Sequence, residues 1–187
     1  MSEKYADRRI IRTRKFLRKA LIELLKEKPI GKITPTELCK IADINRNTFY
    51  SHYSSPEDLL HSLENELLSI IKKAVLECPD AVDATIAVCQ AMRMHKDLCS
   101  VLLTRNADPE FNKKVFSLAN KRNLDKLENE KNILDDQYRQ MMSAFMVSGG
   151  SSIIQIWVES GMKEDPEKLA RFIKNVSLYG TTFTINK

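Results

Sequence analysis

Polar side chains occupy most of seven consecutive positions of this chain, among them Arg46, Asn47, Thr48, Tyr50 and His52. Arginine can form two hydrogen bonds with the edge of a guanine, and asparagine can form two with an adenine. Hydroxyl and imidazole groups suit phosphate oxygens, which position a protein on a duplex without specifying sequence. Together with Thr36 and Lys40 in support, this set is typical of a surface that reads double-stranded DNA.

The residues around this stretch carry the signals of helix ends. Thr34 and Glu37 form a T-x-x-E capping box with Pro35 at the first helical position, so a helix is predicted to begin at Thr34. Ser55 begins another helix by the same device. Asp43 falls in the turn, where aspartate tolerates a left-handed backbone. Apolar positions for two crossing helices are supplied by Leu38, Ile41, Ala42, Ile44 and Phe49. The layout predicts a helix-turn-helix at about residues 34–53.

The pattern I-T-x-x-x-L-x-x-x-A-x-I-x-R-x-T-F-Y-x-H-Y-x-S-x-E-D-L-L resembles the N-terminal DNA-binding domain of the TetR/AcrR family over about residues 8–70. The resemblance implies an all-α fold of about nine helices. A three-helix DNA-binding domain at residues 1–55 is expected to precede a helical effector-binding and dimerisation domain at residues 56–187. Asp43 stands where the family usually has Gly, Asn47 where Gly or Pro is frequent, and Pro56 where Lys is frequent. Asn47 adds an amide suited to a base, whereas Pro56 removes an ammonium group suited to a phosphate.

Positive charge is concentrated in the first third of the chain. The net charge is +5 overall, but residues 1–55 hold 13 basic and 6 acidic residues, or +7. A basic head on a near-neutral body indicates a localised site for a polyanion. Seven cations crowd the start of the first helix, where the family approaches the phosphate backbone: Arg8, Arg9, Arg12, Arg14, Lys15, Arg18 and Lys19. The alternative is that they only solvate an exposed helical face.

Composition limits the class of protein. With 187 residues, 43% of them hydrophobic, the chain can bury a core, and five Gly and six Pro favour long helices. The charged N-terminus lacks the apolar stretch of a secretory signal, and no apolar run approaches the length of a membrane span. We therefore expect a cytoplasmic protein without a membrane partner. Four cysteines without a C-x-x-C pair suit reduced, buried thiols.

Helical periodicity continues through the second half. Helices are predicted at about 55–76, 81–94, 98–103, 109–129, 134–161 and 165–179. The last two carry apolar stripes, one with Met142, Phe145, Met146, Gly149, Ile153, Ile156 and Trp157, the other with Leu169, Phe172, Ile173, Val176 and Tyr179. As in the TetR family, we expect these helices, about residues 134–180, to form a homodimer interface; the alternative is that both stripes face the subunit's own core. The stretch from Gly149 to Gly161 also resembles regulators of dihydroxyacetone kinase operons.

A small-molecule effector is implied by the family resemblance, in which a ligand held in the body shifts the two heads between two states. Candidate lining residues are Met92, His95, Cys99, Met141 and Trp157, although such residues at helical spacing are also ordinary core. His95 with Cys89 and Cys99 hints at a metal or thiol sensor, but their spacings assign no metal site, and no cofactor is expected.

These observations predict a dimeric, sequence-specific DNA-binding transcriptional regulator, a repressor released by a small effector, on a near-palindromic operator. One alternative is a co-regulator of the same fold whose body binds a partner protein. An enzyme using cysteine and histidine is a third reading. It is disfavoured because no nucleophile, base and orienting group form a motif.

Overall fold

The computed structural model describes residues 2–78, 81–104, 108–115, 117–118 and 135–180. Every regular element among these residues is a helix, which confirms the all-α prediction. The chain divides into two units, residues 1–66 and 67–187. This division falls inside one long helix. The functional boundary between residues 55 and 56 stays a prediction.

The first unit is built from three helices and the start of a fourth. They are α1 (Ser2–Glu27), α2 (Pro35–Ala42), α3 (Arg46–Tyr50) and α4 (Pro56–Glu77), with a short 3-10 turn at Ile30–Lys32. Helix α1 packs against α2, and α2 against α3. The shared core consists of fully buried side chains: Leu17, Leu21, Leu24, Leu38, Phe49 and Leu59.

The predicted N-caps at Thr34 and Ser55 form, but the capping box at Thr34 forms only in part. The hydroxyl of Thr34 accepts a hydrogen bond from the Glu37 backbone N–H at 3.3 Å. The Glu37 side chain does not complete the box, because its carboxylate pairs with Lys28. Ser55 caps α4 by accepting from Asp58 N–H at 3.2 Å. Asp43 ends α2 with φ 53° and ψ 48°, in the left-handed conformation expected of the turn.

The prediction that Ile41 belongs to the core is wrong. Leu38 and Ala42, four positions apart, form the buried edge of α2, and Ile41 lies off that edge with 43% of its surface exposed. Ile44 in the turn is half-buried. The core of the two crossing helices therefore depends on Leu38, Ala42 and Phe49.

The second unit contains α5 (Ala81–Met94), α6 (Lys96–Leu102), α7 (Asp136–Glu159) and α8 (Pro166–Tyr179). Helix α5 packs on α6 and α8, while α7 packs on α6 and α8. Residues 109–115 are also helical, but most of the helix predicted at about 109–129 lies outside the described residues. Asp165 is the N-cap of α8, because its Oδ1 accepts a hydrogen bond from Glu167 N–H at 3.0 Å.

The apolar stripe predicted on α7 divides between two faces. Trp157 is buried, and its indole N–H donates to the Glu164 backbone oxygen at 2.9 Å. Leu169 of the α8 stripe is buried as well. An outward face of α7 carries exposed side chains at helical spacing: Tyr138, Met141, Phe145 and Ile156. The predicted stripe spanned too wide an arc to face one partner.

Helix α7 also corrects an expectation about membranes. By length and composition alone it is apolar enough to cross a bilayer, with a mean hydropathy of 1.3 over 18 residues, 17% of them buried. Its serines and glycines interrupt the apolar run without adding charge, so inspection for a continuous run misses it. One helix of this kind is weak evidence for a membrane span.

Candidate nucleic-acid interface

The short helix α3 presents two side chains of the predicted DNA-binding set at its start. Arg46 and Asn47 are its first residues, and both are exposed. The side-chain Oδ1 of Asn45 accepts a hydrogen bond from Asn47 N–H at 2.8 Å, which caps the helix. Asparagine is among the best residues for this role. The cap fixes the backbone from which both side chains project.

A buried aromatic ring holds α3 against the rest of the unit. Phe49 is fully buried. The ring of Tyr50 meets it edge-on at a centroid distance of 5.3 Å, and the ring of Tyr53 lies 6.2 Å away. Such aromatic pairs add stability beyond the area that they bury. A helix of five residues is too short to be stable alone, so its position depends on Phe49 and the Asn45 cap.

The structure places all seven predicted DNA-binding residues in the first unit. Five are exposed: Thr36, Lys40, Arg46, Asn47 and Tyr50. Thr48 and His52 are half-buried. The Thr48 backbone oxygen also accepts a hydrogen bond from the Ser51 hydroxyl at 2.8 Å.

The electrostatics of Cys39 place Arg46 near α2. Burial raises the pKa of the Cys39 thiol, and the positive charge of Arg46 partly opposes that rise. Arg46 therefore lies close to where α2 and α3 cross, although its side chain remains exposed. Lys40 on α2 and Arg46 on α3 are both exposed, so the surface carries positive charge on both helices.

Two cations of α1 have partners that the sequence did not reveal. Arg18 forms an ion pair with Glu66 of α4. The guanidinium carbon of Arg12 lies 5.3 Å from the centroid of the Phe16 ring, a cation–π distance. Arg18 and Glu66 are 48 positions apart, so only the fold brings them together. The Asn45 cap, in contrast, was detectable, because Asn directly before a helix is a standard signal.

The predicted effector residues have different environments. Met92, Cys99 and Trp157 are buried, and His95 is half-buried at the junction of α5 and α6. Met141 lies on the outward face of α7 with 56% of its surface exposed. Burial also raises the pKa of Cys89 to about 12, so this thiol stays protonated at neutral pH. Among the described residues there is no group of three or more His, Cys, Asp or Glu placed to hold a metal ion.

A capped helix with exposed Arg46 and Asn47, crossing a second capped helix over a buried Phe49, defines a helix-turn-helix DNA-binding protein. Residues 80–178 match a TetR-type family model described as "Transcriptional regulator C-terminal region". The chain belongs to the TetR family of transcriptional regulators.

Similar proteins agree with this assignment. The chain is 42% identical over 62 residues to the uncharacterized HTH-type transcriptional regulator YxbF of Bacillus subtilis (strain 168), a match that covers 33% of this chain and only 16% of that relative. A crystal structure of a TetR transcriptional regulator from Streptococcus agalactiae 2603V is 24% identical, with a TM-score of 0.68, and the match covers 94% of this chain and 98% of that one.

A third similar protein is a regulator of a dihydroxyacetone kinase operon, the kind of protein that the stretch from Gly149 to Gly161 resembles. The solved structure described as the dihydroxyacetone kinase operon activator DhaS is 18% identical, with a TM-score of 0.57 over 89% of this chain and 94% of that one. At these identities the two solved structures show a shared fold.

Proposed function

We propose that this protein is a homodimeric, sequence-specific DNA-binding regulator that represses transcription and is released from its operator by a small molecule. The observation that carries the proposal is the pair Arg46 and Asn47, exposed at the capped start of α3 while Phe49 anchors the same helix. Residues that only stabilise the fold would not need to project two hydrogen-bonding side chains into solvent from an anchored helix.

In this proposal each residue has a distinct role in binding. Arg46 pairs with a guanine and Asn47 with an adenine through two hydrogen bonds each. The hydroxyl and imidazole groups of Thr48, Tyr50 and His52 contact phosphates, with Thr36 and Lys40 in support. The phosphate contacts orient the head, and the base contacts select the sequence.

The outward face of α7 supports dimerisation. Tyr138, Met141, Phe145 and Ile156 are each more than half exposed on this face, and Phe145 reaches 74%. A methyl group added at Gly149, on the same face, would meet nothing within 4 Å in the described part of the subunit. A second copy that packs on α7 and α8 would bury the apolar side chains and approach closely at Gly149. It would also explain the apolarity of α7 without a membrane.

Dimerisation sets the geometry of the operator. Two reading helices related by a two-fold axis must enter successive major grooves about 34–36 Å apart, so the operator is a near-palindrome. An operator that overlaps a promoter gives repression. We place the protein in the cytoplasm, where such DNA is accessible, and assign it no enzymatic reaction.

The effector is proposed to bind the second unit near Met92, His95, Cys99 and Trp157. Helix α5 packs on α6, and α6 on α7, so these residues lie on elements in contact. Met141, which lies on the outward face of α7, is better placed for the dimer. A ligand with different affinities for two arrangements of the subunits would shift their populations and release DNA.

Two alanine variants test the reading surface. Arg46→Ala should weaken binding to the operator by about 1–3 kcal/mol and relax the preference at one base pair, because its bidentate contact is lost. Lys40→Ala should weaken binding equally on all sequences, because a phosphate contact carries no base information. Titration of each variant against the operator and its single-base-pair mutants measures both effects. An unchanged preference in Arg46→Ala would refute the assignment of the reading residue.

A further inference from the structure

A buried acceptor in the second unit has no hydrogen-bond donor in the described part of the chain. It is the side-chain Oδ1 of Asn112, which is shielded from solvent. Asn112 lies in the helical residues 109–115, which follow the N-cap Asp108; the Oδ1 of Asp108 accepts a hydrogen bond from Glu110 N–H at 2.9 Å. Most buried polar atoms in proteins are paired, so an unpaired one requires an explanation.

The other end of the same amide determines which atom is left unpaired. The Nδ2 of Asn112 donates a hydrogen bond to the Thr104 backbone oxygen at 3.3 Å. A flipped amide would place Oδ1 against that oxygen, and neither of these two acceptors could donate to the other. The unpaired atom is therefore the amide oxygen, and only an O–H or N–H donor can satisfy it.

The side chains that flank Asn112 in sequence divide into a buried apolar pair and an exposed cationic pair. Phe111 and Val115, one helical turn apart, are each 3% exposed. Lys113 and Lys114 are exposed. The two ammonium groups therefore lie on the solvent side of this helix, while the unpaired oxygen is on the shielded side with the apolar residues. An unpaired acceptor in such surroundings has lost its bonds to water without replacement.

Asn112 is also joined to the region proposed for the effector. Its partner Thr104 follows α6 directly after Leu103, whose N–H donates to the Cys99 backbone oxygen at 3.0 Å. Helix α6 packs on α5, which carries Met92, and on α7, which carries Trp157. The Asn112 amide is therefore hydrogen-bonded to the end of the helix that connects the proposed effector residues.

We propose that Asn112 is a specificity-determining residue of the effector site, and that its Oδ1 accepts a hydrogen bond from an uncharged, mainly apolar ligand with a hydroxyl or amide N–H group. The ligand's role as an effector rests on the proposed function. A carboxylate or phosphate offers no donor to Oδ1, and burial of its charge without a cation would be costly. The apolar body of the ligand suits the buried side chains of the same region.

The unpaired acceptor gives such a ligand a means of control. Without the ligand, Oδ1 has neither water nor a donor, which raises the free energy of the unliganded arrangement. A bound hydroxyl removes that cost only in the liganded arrangement. This difference is the differential affinity that a population shift requires.

The test compares alcohols with ethers of equal size. Hexanol, octanol and decanol can donate to Oδ1, whereas the methyl alkyl ethers with the same number of heavy atoms cannot. Trp157 is the only tryptophan in the chain and is buried in the second unit, so its fluorescence reports binding. Each probe is titrated into the full-length wild type, Asn112→Leu and the control Gln90→Leu, which removes an exposed amide of α5.

The wild type and Gln90→Leu should bind each alcohol at least about tenfold more tightly than its matched ether, because a site built around a hydrogen bond rejects an analogue without the donor. Asn112→Leu should bind the two probes with equal affinity. A merely structural role of Asn112 would weaken both probes alike and leave their ratio unchanged. Octanoate should bind the wild type more weakly than octanol does.

Release of an operator duplex by the alcohols is measured in a separate titration. A preference for alcohols that depends on Asn112, without release of the duplex, would support the contact at Oδ1 and refute the effector role in the proposed function. The two claims can therefore fail independently.

Three results would overturn the proposal. The first is that no alcohol binds the wild type up to its limit of solubility. The second is equal affinity of the wild type for alcohols and ethers, which would mean that no ligand donor reaches Oδ1; this comparison needs no variant and holds even when Asn112→Leu does not fold. The third is a preference for alcohols that persists in Asn112→Leu, which would place the contact elsewhere.

Discussion

The side chain of Asn45 controls how Arg46 and Asn47 project from the start of α3. Its Oδ1 holds Asn47 N–H at 2.8 Å while Arg46 and Asn47 project outward. This cap and the buried Phe49 ring restrain both ends of a single helical turn. Asn45 thus acts through α3 and needs no contact with DNA of its own.

Substitutions of Asn45 should therefore show whether this residue positions α3 or contacts DNA itself. Asn45→Ala should lower the free energy of unfolding by about 1 kcal/mol and weaken operator binding, because α3 loses the acceptor at its start. Asn45→Ser keeps an acceptor and should restore most of both. Urea unfolding and operator titration measure the two quantities. Equal operator affinities for the Ala and Ser variants, both below wild type, would indicate that the Asn45 amide touches DNA directly.

The exposure of single residues could be predicted from the sequence where the local helical spacing determines it. Arg46 and Asn47 are exposed and Phe49 is buried because the short period of a helix separates them onto different faces. The Arg18–Glu66 pair was missed because it joins residues 48 positions apart. Ile41 was wrongly predicted to be buried, since an apolar residue next to the buried edge of a helix can face either the core or solvent.

At the scale of the element, N-caps determine where the helices begin. Thr34, Asn45, Ser55 and Asp165 each accept a hydrogen bond from a backbone N–H within the first turn. These bonds are local in sequence, which is why three of the four starts could be predicted. The face that a helix presents to its partners is not local, and the wide apolar arc of α7 did not show which part turns outward.

Asp165 offers a direct test of such a cap. Its Oδ1 accepts hydrogen bonds from Glu167 N–H at 3.0 Å and from Lys168 N–H at 3.4 Å. Its Oδ2 lies 3.9 Å from the Nη1 atom of Arg93 on α5, which forms an ion pair. Asp165→Ala should lower the free energy of unfolding by about 1 kcal/mol, mainly through the lost cap, because the ion pair is half exposed. Thermal unfolding measures the change.

Glu164→Ala is the matched control, because this exposed residue contributes its backbone oxygen to Trp157 and would keep that bond. It should unfold close to the wild type. A Glu164→Ala variant as unstable as Asp165→Ala would mean that general loss of negative charge, rather than the cap, accounts for the effect.

For the whole molecule, the outward face of α7 is the proposed dimer interface, which would set the spacing of the two reading heads. Phe145 lies at its centre and is 74% exposed. Phe145→Glu would place charges against each other in a dimer and should give monomers in sedimentation analysis. Operator affinity should fall at least about tenfold, because each head would then bind its half-site alone.

Met94→Glu is the control for this substitution. Met94 is 83% exposed and lies on α5 rather than on the outward face of α7. It should leave the protein dimeric and bound to its operator. Should Phe145→Glu remain a dimer at the same concentrations, the interface would lie elsewhere.

The central claim is that α3 reads DNA from a symmetric pair of subunits. The most direct measurement is a binding selection on random duplexes, performed in parallel with wild-type protein and Arg46→Ala. The claim predicts that wild type enriches a near-palindrome with half-sites about one helical turn apart, and that Arg46→Ala loses the preference at one base pair in each half. Enrichment of no sequence, or of a single unpaired site indifferent to Arg46, would contradict it.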